Sequence, residues 1–152
     1  MPDLTDVLAA LAPDEPDYPA AAALGPEALP QLAHLAAGED TLLASKAVYL
    51  TGLIGGADGL NVIMQAVRSP RIPLRLAAAA TLPHLDPDAA DTVARSLVTD
   101  VDPGVQRVTL TSLPARVSAA LREQVGGLAV AAASPANRAL AQRLLVTMDH
   151  PG

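Results

Sequence analysis

The sequence predicts an all-α fold: an α-solenoid of about four stacked helix pairs behind a short N-terminal helix. Three observations carry that expectation. The first is composition. Hydrophobic residues make up 51% of the 152, yet the only aromatics are Tyr18 and Tyr49. A core built from Ala, Leu, Val and Ile favours helix, because Ala and Leu are the strongest helix formers and strand-favouring residues are scarce. The second is self-similarity. LASKAVYLTG from Leu43, LRLAAAATLP from Leu74, VQRVTLTSLP from Val105 and NRALAQRLLV from Asn137 follow one another at 31, 31 and 32 residues. Each copy has a small residue four positions on (Ala47, Ala78, Thr109, Ala141) and a mostly apolar pair at seven and eight. A fixed period in this range marks units that bury an apolar face only against their neighbours. The third is punctuation. Asp86-Pro87, Asp102-Pro103 and Ser134-Pro135 each place a capping oxygen before a proline. Such a pair starts a helix: the oxygen accepts an orphan N–H, and the proline has none to satisfy.

The elements follow in order. Residues 3–12 set Leu4, Val7, Leu8 and Leu11 on one face of a short amphipathic helix. The Pro- and acid-rich stretch 13–19 reads as a linker, so residues 1–24 form an N-terminal cap and linker. Four repeats then span about 25–55, 56–85, 86–115 and 116–149. Their helix pairs fall at 26–37 and 41–54, 60–68 and 73–85, 87–99 and 103–113, and 119–133 and 135–148. The run GGADG from Gly55 to Gly59 reads as the loop between the first two repeats. Pro73 can open its helix, but Ile72 before it is a poor cap. Gly126 and Gly127 should weaken or kink the helix holding them, at about 1 kcal/mol each.

Composition also bounds function. No cysteine is present, which excludes disulfides and thiolate metal sites. The N-terminus lacks the basic start of a secretory signal, and apolar runs fall short of the ~18–20 residues that span a bilayer. A cytoplasmic location is the expectation. The net charge of −6 is uneven: residues 1–67 hold nine acids against Lys46, and residues 68–152 hold seven acids against nine arginines. That asymmetry orients a partner by charge, or else the acidic end serves solubility. Nucleic-acid binding is not expected, because phosphate contacts need a concentrated basic surface.

The four registers resemble the HEAT-repeat family. Its pattern is a leucine-rich first helix, a turn with Asp and Pro, Val-Arg, Ala three residues beyond the Arg, and Ala-Leu-Gly beyond that. Repeat one matches through Leu29, Pro30, Leu32, Leu35, Asp40, Leu43, Ala47 and Gly52. Repeat two matches through Leu74, Arg75, Ala78, Leu82 and Leu85, with Pro83 in place of Gly. Repeat three matches through Asp102, Pro103, Val105 and Leu113, with Gln106 in place of Arg and Pro114 in place of Gly. Repeat four keeps Arg138, Ala141 and Leu145, with Asn137 in place of Val. The resemblance implies a right-handed superhelix with second helices lining its concave side. It also implies a non-enzymatic, protein-binding role: an adaptor, scaffold or subunit of a larger assembly. The alternative within the resemblance is a HEAT-like enzyme, such as a DNA-alkylation glycosylase or a pigment lyase. Acidic charge and missing aromatics disfavour it.

Counting from each register residue, helical periodicity puts offsets 0, +4, +7, +8 and +11 in the core and +1, +2, +5 and +6 outward. Tyr49, Arg75, Gln106, Arg107, Leu110 and Arg138 are therefore the candidate partner-binding residues. An aromatic, arginines and an apolar floor are the usual ingredients of an interface hot spot. The competing readings are that Leu76 and Leu110 pack between repeats, and that Arg75, Arg107 and Arg138 pair with turn aspartates such as Asp102. His34, His84 and His150 are isolated, and Asp86, Asp88 and Asp91 gather at a helix start, where acids complement the dipole. No metal, cofactor or catalytic residue is expected, since neither a nucleophile elbow nor a P-loop occurs.

Overall fold

The computed structural model describes residues 1–149. Among them the chain is all-helical: ten α-helices, two short 3-10 turns and no strand. The helices are α1 (Leu4–Leu11), α2 (Tyr18–Ala22), α3 (Leu29–Ala36), α4 (Thr41–Ile54), α5 (Gly56–Val67), α6 (Ile72–Ala80), α7 (Pro87–Leu97), α8 (Pro103–Thr111), α9 (Ala119–Ala131) and α10 (Pro135–Asp149).

Local chemistry sets most of the starts. Asp3 and Asp6 form a reciprocal capping box at α1, each carboxylate accepting the other's backbone N–H at 2.9 Å. Asp40, Asp102, Ser118 and Ser134 cap α4, α8, α9 and α10 through the N–H groups of Leu43, Val105, Leu121 and Asn137. Asp86 differs from expectation: its side chain caps nothing, and α7 begins on Pro87 alone. α6 starts one residue early, at Ile72, with Arg71 as an uncapped flank.

Several boundaries correct the sequence reading. The stretch 13–19 is not wholly linker, because Asp17 caps the short α2. GGADG is not a loop: α5 already begins at Gly56. Gly55 and Gly56 sit at φ +77° and +79°, left-handed backbone that lets the chain reverse in two residues. α6 and α8 stop at Ala80 and Thr111, short of 85 and 113. Pro83 and Pro114 explain the shortening, since neither can donate to a carbonyl four residues back and each disfavours helix at the residue before it. Past α6 the chain tightens into the 3-10 turn Leu82–His84. α9 runs unbroken through Gly126 and Gly127.

Packing is orderly. The pairs α3/α4, α5/α6, α7/α8 and α9/α10 each associate, α4, α6, α8 and α10 contact one another in sequence, and so do α3, α5, α7 and α9. α1 rests on α2, α3 and α4. The core divides in two. Val7, Leu11, Leu29, Leu32 and Leu50 close the N-terminal end, and a larger cluster runs from Ala44 to Ala141.

Candidate functional site

The outward faces of α4, α6 and α8 form the candidate site; of the offsets expected to face outward, +2 and +6 contribute to it, whereas +1 and +5 of these helices turn inward. Offset +5 is core: Val48 and Ala79 are fully buried and Leu110 is 1% exposed. Leu110 therefore packs between repeats and offers a partner nothing. The cause is that α8 is flanked by both α6 and α10, and α6 by both α4 and α8, as well as each by its own mate. Three neighbours bury a wider arc than one apolar stripe.

Offset +1 also turns inward, to a role the sequence reading missed. Arg75 Nη1 donates to the carbonyl of Ser69, Gln106 Nε2 to that of Asp100 and Arg138 Nη1 to that of Ala132, at 2.9, 2.7 and 2.7 Å. Each bond reaches back six residues. Each satisfies a carbonyl at the end of the first helix or in the turn just beyond it, and so ties the turn to the second helix. The signal was present: long polar side chains recur at one register position in repeats two to four, while repeat one has Ala44. Arg75 also grips Asp100 through two bonds, Nε–Oδ2 at 2.8 Å and Nη2–Oδ1 at 3.2 Å. This is a turn aspartate, but Asp100 rather than Asp102. Gln106 Oε1 in turn accepts from Asn137 Nδ2, which also donates to the Pro103 carbonyl. These three candidates are thus engaged within the fold.

Tyr49 is half-buried in the chain's one aromatic cluster. Its ring meets Tyr18 edge-on at 4.7 Å, and its hydroxyl lies 3.2 Å from His84 Nε2. Burial pushes the Tyr18 hydroxyl above its ordinary value of 10.0, with the neighbouring Tyr49 adding to the shift. Arg107 alone among the six is exposed.

What the outward face does present is an apolar trough of about 710 Å³ across α4, α6 and α8. Leu42, Ser45, Pro73, Leu76, Ala80 and Val108 shape it. Leu42 is 65% exposed, far more than a leucine needs for packing. Arg71 Nη1 bonds the trough-lining Thr41 at 3.2 Å, and Arg107 is exposed on α8 at offset +2, the register position that Ser45 and Leu76 hold in the trough, so the two flank it. Neither pairs with a carboxylate among the described residues. Ser45 and Leu76 at offset +2 and Ala80 at +6 lie on the face expected to point outward; Leu42 and Pro73 at −1 and Val108 at +3 lie at offsets the periodicity assigns to neither face.

No group of three or more His, Asp or Glu side chains that could hold a metal occurs among the described residues. Asp91 is spent on the Ser118 N–H at 2.9 Å and on Arg95 at 3.0 Å. His34 is exposed, and His150 lies outside the described residues. No described helix is long and apolar enough to cross a membrane. Neither a protein-family model nor a curated protein matches the chain.

Proposed function

We propose that the chain is a non-enzymatic protein-interaction module. Its helix pairs stack as an α-solenoid of HEAT-like repeats, and the trough on the second helices docks an apolar segment of a protein partner. The observation that carries this reading is the trough itself. It is open and apolar, shared by three helices, and edged by Arg71 and Arg107. The neighbour-to-neighbour order of helix contacts and the four sequence registers support the stacked arrangement. None of the trough's lining side chains is an acid, a base or an imidazole. It is suited to burying apolar surface, with arginines at the edge giving orientation.

Photo-crosslinking from inside cells tests the reading. A crosslinker replacing Ala80 should trap a defined protein, and Leu76→Glu in the same chain should abolish the adduct while circular dichroism stays helical. A crosslinker at the exposed Gln65 of α5 is the control. Equal trapping from Gln65, or an adduct indifferent to Leu76→Glu, rejects the trough as the docking surface.

A further inference from the structure

We infer that one occupant of the trough is helix α1 of a second copy of this chain, so that two copies associate reciprocally. The inference rests on the docking reading above and deepens it by naming a ligand. α1 has two apolar edges. Val7 and Leu11 are fully buried against the chain's own core, but Leu4 and Leu8, one turn apart, remain 39% and 37% exposed, and Met1 is 96% exposed. The outer leucines are only partly covered within one copy and present the remainder of their surface outward. Leucines at i and i+4 are the form in which a helix enters an apolar groove.

Charge matches shape. Residues 1–24 carry five carboxylates and no lysine or arginine, while the trough's rim carries Arg71 and Arg107 without acidic partners among the described residues. Position matches as well. Lys46 Nζ donates to the carbonyls of Leu11 and Pro13 at 3.1 and 2.7 Å, and Lys46 follows Ser45, which lines the trough. The end of α1 is thus tied to α4, one of the three helices that carry the trough. In a two-fold pair each α1 occupies the other copy's trough, and one contact repeated twice closes the assembly.

Sedimentation equilibrium of the full chain over a wide concentration range is the test. A reversible shift from 15.4 kDa towards twice that mass is expected. Leu8→Glu on α1 and Arg107→Glu on the rim should each weaken association about tenfold or more, the scale of a lost hot-spot residue. Both sites are exposed enough for the fold to survive, which circular dichroism checks. A chain that stays monomeric throughout overturns the inference, and so does an association that neither variant weakens. If the chain is monomeric while Ala80 still crosslinks a foreign protein, the docking function stands and only the second-copy occupant falls.

Discussion

Thr81 fills the space that a side chain on Gly52 would need. A Cβ built on Gly52 lies 2.4 Å from Thr81 Cγ2 and 2.5 Å from its Cβ. Contacts that short do not survive, so α4 and the end of α6 approach as they do only because residue 52 has no side chain. Gly52→Ala should therefore overpack the junction and cost about 1–3 kcal/mol. Gly127 is the opposite case: it lies inside α9, and an added Cβ meets nothing within 4 Å. Gly127→Ala should stabilise by roughly 0.5–1 kcal/mol through helix propensity alone. Urea midpoints moving in opposite directions confirm both assignments; equal shifts reject them.

Arg75 and Asp100 are only 13% and 9% exposed at their side chains, so their pairing is largely shielded from water. Asp100 also accepts the Asp102 N–H at 2.9 Å. Removing either partner strands a charge, and Asp100→Ala should cost about 3 kcal/mol. The double variant with Arg75→Ala should cost clearly less than the two single changes added together. Strict additivity in that cycle would show that the pair contributes nothing as a pair.

Tyr18 links stability to alkaline pH. Its folded value is raised above 10.0, first by burial and then by Tyr49. The folded state thus holds the neutral phenol more firmly than the unfolded chain does. Its contribution is fully present below pH 10 and is lost as pH rises through the folded value. Tyr18→Phe should flatten the fall in stability above pH 10 and leave neutral-pH behaviour little changed. An unaltered alkaline limb in chemical denaturation would refute this.

Ala78 and Ala80 separate packing from docking. Ala78 is fully buried, and Ala78→Leu should cost about 1–3 kcal/mol. Ala80 lines the trough, so Ala80→Leu should leave the melting temperature nearly unchanged while obstructing whatever docks there. Equal thermal shifts for the two variants would mean the face assignment is wrong.

The helices were legible because their signals are local. A capping oxygen followed by an apolar period needs only a few neighbouring residues, which is why the starts of α1, α4, α8 and α10 were found. Ends set by backbone geometry were less so: Gly55 and Gly56 turn too tightly to look like anything but a loop, and Pro83 and Pro114 cut helices that Ala and Leu would extend. Leu110 and the side chains at offset +1 face inward for a different reason. Periodicity gives the direction of a buried stripe but not its width, and the width depends on how many neighbours a helix has. α8 touches α6 and α10 as well as α7, and α6 touches α4 and α8 as well as α5, so Leu110 and Ala79 lie inside, while Arg75, Gln106 and Arg138 reach backbone carbonyls.

Lys46 is the chain's only lysine, and its amine holds the carbonyls of Leu11 and Pro13. An acyl group on that nitrogen removes the charge and most of its capacity to donate. Acylation and these two hydrogen bonds to the end of the first helix are consequently exclusive at a single atom. The rate at which an amine-selective reagent consumes Lys46 becomes a clock for how often the N-terminal segment lifts away. Any enzyme that acetylates lysine would have, in this chain, one side-chain address and one structural effect.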